Sequence, residues 1–130
     1  MPFEISFPTR HTDAFAATGF VHAGVLLALT EMAYAAFEKH CGVTKPPTTY
    51  AVQRATEARY VSPLAWQEGA TIRVRTLAAD GRGFEQEFVV HSARDGREIA
   101  RFIHHWSWFD TGAGRTVELT PEVRSALLAG

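Results

Sequence analysis

The sequence holds one cysteine, Cys41, in 130 residues. An internal disulfide is therefore impossible, and a cysteine-rich metal site is excluded. No His-Glu-x-x-His run is present. The adjacent His104 and His105 fall in a stretch that reads as a strand, where neighbours point to opposite faces and cannot share one metal ion. No metal site is expected. Charge of either sign is also scarce in excess, because 13 Lys and Arg against 14 Asp and Glu leave a formal net charge of −1. Without a basic stripe no nucleic-acid partner is expected, and without an acidic block no disordered tether. The first ten residues lack a basic region followed by an apolar stretch, so no signal peptide is read. The longest apolar run, Ala23 to Leu29, is far too short for a bilayer. A soluble, cytoplasmic protein without a membrane partner is the expectation.

What is present suits a packed core. Hydrophobic residues make up 46% of the chain and charged residues 21%. The length fits one domain over residues 1–130. Phe3 to Phe7 alternates apolar and polar residues and reads as a strand ended by Pro8. Thr9 to Gly19 has no clear period and reads as an irregular connection. Ala23 to Cys41 is rich in Ala and Leu, with Lys39 and His40 in the last turn and Gly42 placed as the glycine just past a helix end. Its middle is apolar nearly all round, which predicts a helix buried on most sides. Lys45 to Thr48 is the turn out of it.

The period then changes. Thr49 to Val61, Thr71 to Leu77, Phe84 to Val90 and Glu98 to Phe109 read as four antiparallel strands joined by hairpins. Asp80-Gly81 and Asp95-Gly96 mark the two clearest turns. Pro121 to Leu128 reads as a short terminal helix, with Thr120 as N-cap and Pro121 at the first helical position. One helix that is apolar all round, with no other helices to cover it, requires a strongly curved antiparallel sheet to wrap it. The expected fold class is α+β, the hotdog fold, a curved antiparallel sheet wrapped around one long central helix.

Glu31 is the first candidate for chemistry. Its neighbours three and four residues away are Leu27, Ala28, Tyr34 and Ala35, which do not make a solvated face. A carboxylate there is expected to have a raised pKa or a specific partner, as groups used in acid–base or nucleophilic work often do. The plainer alternative is that Glu31 and Glu38 mark a narrow exposed stripe. The second candidate is the helix start, Gly19-Phe20-Val21-His22-Ala23-Gly24. Small residues there leave backbone N–H groups open to a ligand, and the helix dipole favours an anion such as a developing oxyanion. The plainer alternative is that Gly24 only permits close packing.

His22-Ala23-Gly24, with Glu31 nine positions after His22, resembles the His-Gly-Gly and downstream acid of hotdog thioesterases. These include the phenylacetate-pathway type and one branch of the 4-hydroxybenzoyl-CoA thioesterases. Ala17 to Phe20 before a Glu-bearing helix is similar to the fluoroacetyl-CoA thioesterase. Arg59 to Leu64 is similar to the family's strand ending in an aromatic and proline. The resemblance implies hydrolysis of an acyl-CoA thioester, with coenzyme A as part of the substrate and no separate cofactor. It implies Glu31 as general base or nucleophile, the N–H of Ala23, with Gly24, as oxyanion hole, and His22 as a residue shaping the turn. Ala23 stands where the family has its first glycine, and Ala35 gives no hydroxyl where one branch has one. Arg10-His11-Thr12-Asp13 resembles the Asp-x-Asp segment of the other 4-hydroxybenzoyl-CoA branch, which would make Asp13 the catalytic acid; His11 replaces the first Asp. As a plain loop residue Asp13 would be a turn or cap. Glu31 is preferred.

Ala23 and Glu31 are eight residues apart on one helix, about 12 Å at 1.5 Å per residue. A base and an oxyanion hole serving one carbonyl must lie closer. The Glu31 reading therefore requires a homodimer with two sites at its interface, and the family resemblance extends this to a homotetramer. Arg59 and Arg82 are candidates for the CoA phosphates. Ser62, Ser92 and Ser107 have no motif joining them to a histidine and an acid, so no serine triad is expected. Trp106 and Trp108 share a strand face and serve either core or an acyl pocket. The rival readings are an acyl-carrier-protein thioesterase and a non-catalytic acyl-CoA-binding protein of the same fold.

Overall fold

The computed structural model describes residues 2–130. Strand β1 (Phe3–Phe7) leads through a single 3₁₀ turn, η1 (His11–Asp13), to helix α1 (Ala23–His40). Strands β2 (Thr49–Tyr60), β3 (Ala70–Ala79), β4 (Phe84–Ser92), β5 (Glu98–Asp110) and β6 (Arg115–Val117) follow, and α2 (Pro121–Ala129) closes the chain. The result is α+β, with every strand pairing antiparallel.

The strand order β1-β3-β4-β5-β2 corrects one expectation. β3–β4 and β4–β5 are hairpins, but β2 does not pair with β3. It crosses to the far edge and lies along β5, from Thr49 opposite Asp110 to Tyr60 opposite Ala100. A hairpin signal needs turn residues between two strands; Val61 to Gly69 carries Pro63 and a hydrophobic stretch that the structure uses as a crossover. Two short elements also escaped the periodicity. η1 sits in the stretch read as irregular, and β6 is too short to show a period.

Alternation puts Ile72 and Val74 of β3, Phe88 and Val90 of β4, and Phe102, Trp106 and Trp108 of β5 on the inner face, all buried. Helix α1 lies on that face through Leu26, Leu29, Thr30, Ala33, Tyr34 and Phe37, spaced by three and four residues. The Tyr34 ring packs tilted at 4.7 Å from Trp106, and Phe37 meets Phe3 edge-on at 5.5 Å. Both helix ends form as the residues dictate. Gly42 takes φ 70°, which suits a glycine past a helix end, and the Thr120 hydroxyl accepts from the N–H of Val123 at the start of α2.

A second expectation fails. Helix α1 is not buried on most sides: Gly24, Ala28, Glu31, Met32, Ala35 and Lys39 form an exposed stripe. One sheet face covers only part of a helix, and alanine, which is small and indifferent to solvent, made the outer side look apolar.

One polar row crosses this apolar interior. Thr76 of β3, Gln86 of β4, His104 of β5 and Thr56 of β2 are in register on the inner face. Thr30 Oγ1 donates to the Leu27 carbonyl at 2.6 Å, so it accepts from His104 Nε2 at 2.7 Å. That order leaves His104 Nδ1 to accept from Thr56 Oγ1 at 2.7 Å. The ring is therefore a neutral Nε2–H imidazole, fully buried, tying α1 to the edge strand. Burial, with a smaller contribution from His105, pushes its pKa from 6.5 down to about 4. Below pH 6.5 the unfolded chain takes up a proton that folded His104 refuses until about pH 4. Stability is thus unaffected by this group above pH 6.5 and falls between 6.5 and 4, by up to roughly 3 kcal/mol. Urea unfolding at pH 7.5 and 4.5 should show that loss in the wild type and a smaller one in His104→Gln; equal losses would clear His104 as the source.

Candidate functional site

The start of α1 is built by loops. The loop from Asp13 to His22 closes on itself: Ala14 bridges Val21, and the Phe15 N–H donates to the Phe20 carbonyl at 3.0 Å. The crossover after β2 holds it from outside. Val21 N–H donates to Leu64 O at 2.8 Å, Trp66 N–H donates to Gly19 O at 3.0 Å, and Phe20 bridges Ala65. The crossover is in turn fixed by Arg97, from the β4–β5 turn. Its guanidinium donates twice to Glu68 (2.7 and 3.1 Å), once to Asp95 (2.8 Å) and once to the Pro63 carbonyl (2.7 Å). Arg97 holds the Glu68 carboxyl down to about 2, with Ser92 and the Ala65 N–H adding to the effect.

The helix start that results is open. Val25 and Leu26 N–H groups both find the His22 carbonyl (3.0 and 3.2 Å), and His22 caps nothing with its side chain. The N–H groups of Ala23 and Gly24 find no acceptor among the described residues. Both residues are exposed, and a methyl group added at Gly24 would meet nothing within 4 Å. Gly24 therefore packs against nothing within the chain. The His22 ring lies 3.9 Å from that of Phe15, which is itself 55% exposed. An unfilled first turn of this kind suits an anionic or developing-anionic oxygen.

The two candidate carboxylates sit in different settings. Asp13 lies beside the helix start: its carbonyl accepts the His22 N–H at 2.9 Å. Its carboxylate accepts the Arg10 N–H at 2.8 Å and the Arg10 guanidinium at 3.3 Å. The Arg10 N–H first, with the guanidinium and nearby His22, keeps this carboxyl below the usual range despite partial burial. Glu31 is exposed on the outer stripe of α1 and makes no hydrogen bond or ion pair among the described residues. The apolar, unsolvated surroundings expected for it are absent within one chain, for the reason already given for the stripe. Glu38, one candidate for the same stripe, is instead turned inward to the Tyr34 hydroxyl and Lys45.

Arg59 and Arg82 are far from each other in the fold. Arg59 lies on the outer sheet face, in register with Arg101, and Arg82 lies at the tip of the β3–β4 turn. Trp106 and Trp108 belong to the core. Among the described residues no three His, Cys, Asp or Glu side chains gather as metal ligands would. No helix is long and apolar enough to cross a membrane. What sequence reasoning missed is the Glu68–Arg97 clamp, whose partners are 29 residues apart with no local pattern to join them.

A model of the thioesterase-like superfamily matches residues 10–127. The chain belongs to that superfamily. Comparison with curated proteins gave no match. The fold of this thioesterase-like chain is similar to that of a 1,4-dihydroxy-2-naphthoyl-CoA thioesterase from Synechocystis, with 13% identity, 98% of this chain and 96% of that one covered, and a TM-score of 0.82. It is similar to a gentisyl-coenzyme A thioesterase at 18% identity, 96% and 99% coverage and a TM-score of 0.84. A Thermus thermophilus thioesterase complexed with coenzyme A and zinc gives 20% identity, 97% and 91% coverage and a TM-score of 0.78.

Breaking the clamp should loosen the loops that build the helix start. Arg97→Met is expected to lower the melting temperature, because it removes the charge-assisted hydrogen bonds that tie the crossover to the β4–β5 turn. It should also speed hydrogen exchange at the Val21 amide, which bonds to the crossover. Unchanged exchange at Val21 would separate the clamp from the site.

Proposed function

We propose that this chain is an acyl-CoA thioesterase, one domain over residues 1–130, that hydrolyses a small acyl- or aryl-CoA ester to the free acid and CoA. The observation that carries this reading is the open first turn of α1, with the N–H groups of Ala23 and Gly24 unfilled and exposed in a chain of the thioesterase-like superfamily. The thioester carbonyl oxygen sits on those N–H groups, which stabilise the negative charge it gains when the carbonyl carbon is attacked. Glu31 either takes a proton from the attacking water, or attacks the carbonyl carbon itself to give an acyl-Glu31 anhydride that water then hydrolyses to the free acid. In either route the carbon–sulfur bond breaks and the CoA thiolate leaves, to be protonated by solvent.

Because Glu31 is about 12 Å along the helix from Ala23, the two must come from different chains of a homodimer related by a two-fold axis. Two features support such a partner. β2 is a 12-residue edge strand with one ladder unpaired, and Tyr50, Val52 and Tyr60 along it, with Val61 just beyond its end, are each more than 40% exposed. The outer stripe of α1 carries Gly24, Ala28 and Ala35, small enough for close approach, beside Met32 at 54% exposure. Covering that stripe would also give Glu31 the desolvated setting that a single chain does not provide. A homodimer, or a tetramer that pairs two of them, is the proposed working form in the cytoplasm. The central-helix hotdog arrangement belongs to the same proposal.

A second reading keeps the reaction and moves the acid to Asp13. It is favoured by the position of Asp13 beside His22 within one chain.

Two experiments decide. With a panel of acyl- and aryl-CoA esters and a free-thiol reagent, Glu31→Gln is expected to lower kcat about 100-fold or more, with Asp13→Asn close to wild type. Loss only in Asp13→Asn selects the second reading. No turnover of any CoA ester by the wild type removes the CoA-hydrolase proposal in favour of a carrier-protein ester or a non-catalytic acyl-CoA binder. For the dimer, Val52→Asp on the β2 edge should give a monomer by size-exclusion chromatography with light scattering, and turnover should vanish with the dimer; an active monomer would refute the shared site.

A further inference from the structure

Polar side chains tie α1 to the sheet at one place. Tyr34 donates to Glu38 within the helix, and Glu38 pairs with Lys45 of the turn that follows. Among the described residues, the bond between Thr30 Oγ1 and His104 Nε2 is the only hydrogen bond that joins α1 to a strand. Leu26, Leu29, Ala33 and Phe37, on the same face of the helix, are apolar, and apolar contact has no preferred direction.

The sheet is shaped to complete this bond. In β2 the register slips between Gln53 and Ala55, which makes Arg54 the extra residue of a bulge. Without the bulge, regular alternation would set Ala55 opposite His104 and turn Thr56 to the outer face. With it, Thr56 stands opposite His104, and its hydroxyl donates to Nδ1 at 2.7 Å. A donor on Nδ1 leaves the ring proton on Nε2, the atom that faces Thr30. The edge strand thus fixes the tautomer that holds the helix. A second bulge, with Leu77 as its extra residue, stands at the other end of the same row, next to Thr76 of β3.

Stability alone does not call for such a chain. Thr30 and His104 are fully buried, and apolar groups of similar shape in their places would leave a core about as stable, because desolvation offsets the hydrogen bonds. What apolar groups do not supply is a fixed rotation. Glu31 follows Thr30 directly, is exposed, and makes no hydrogen bond or ion pair among the described residues. Its carboxylate is placed by the helix alone. At about 5–6 Å from the helix axis, it moves about 1 Å for a rotation of about 10°. A misplacement of about 1 Å costs on the order of 100-fold in rate.

We propose that Thr30, His104 and Thr56 are positioning residues, which lock the rotation of α1 and so place the Glu31 carboxylate at the thioester. The proposal rests on the Glu31 thioesterase reading and adds to it three residues that act through the helix.

The test sets activity against stability in the full chain. Thr30→Val combined with His104→Leu replaces the polar pair by apolar groups. Its melting temperature is expected at or above that of Thr30→Ser, which keeps the hydroxyl and loses a buried methyl group. Activity should run in the opposite order. For a CoA ester, kcat is expected about tenfold or more below wild type in the double variant, with KM unchanged, and restored in Thr30→Ser. Thr56→Val, at an exposed position, is a second test that does not load the core. It should melt near the wild type and lower kcat several-fold.

Proton shifts of the Phe37 ring report the seating of α1 without any turnover. That ring packs on Phe3 at 5.5 Å and lies seven residues, about 10 Å, along the helix from Thr30. The shifts should move in the double variant and stay in Thr30→Ser. Unmoved shifts, kcat that simply follows the melting temperature, or wild-type kcat in both the double variant and Thr56→Val overturns the proposal. Moved shifts in a chain whose wild type hydrolyses no CoA ester leave the seating in place and sink the hydrolase reading instead.

Discussion

Helix α1 rests on the inner face of the sheet through a stripe one residue-width from being wholly apolar. Leu26, Leu29, Ala33 and Phe37 bury side chains there, and Thr30 interrupts them with a hydroxyl joined to His104. Apolar contact alone is non-directional and would tolerate sliding or rotation of the helix. The Thr30–His104–Thr56 chain is directional, since the buried Thr30 and His104 must keep their partners or lose the full cost of desolvation. It therefore sets which residues of α1 face the sheet, and by exclusion which face outward. The position of Glu31 on the outer stripe follows from Thr30 pointing inward.

The same seating controls the site at the helix start. With α1 fixed, the loop before it has to return from β1 around the helix end, and the crossover from β2 to β3 passes over that loop. The Arg97 clamp joins this crossover to a hairpin turn, so the open N–H groups of Ala23 and Gly24 are held by the rigid part of the sheet. A site that must accept developing charge benefits from donors fixed in advance, because no reorganisation is then required at the moment of reaction.

The single chain is unfinished in a consistent manner. Its long edge strand, the small-residue stripe of α1 and the exposed aromatic rings of Phe15 and Phe20 all lie open. Exposed apolar groups occur on any protein surface, but an unpaired edge strand beside them is an invitation to association that folds ordinarily suppress. The proposed homodimer would cover both, and it would also supply the second half of the proposed active site.

Sequence by itself determined the elements. The strand over Phe3–Phe7, the helix from Ala23, the β3–β4 and β4–β5 hairpins and the capped terminal helix all formed where period and turn residues placed them, because these signals act within a few residues. The open helix start at Ala23 and Gly24 was legible for the same reason. Tertiary structure alone decided the rest. That β2 lies beside β5 depends on a crossover with no turn signature, and that Glu31 is exposed depends on how much of α1 one sheet can cover. The pairing of Arg97 with Glu68 joins residues 29 positions apart, and that of Thr30 with His104 joins residues 74 apart. No local pattern encodes such meetings; they exist only once the sheet has fixed its register.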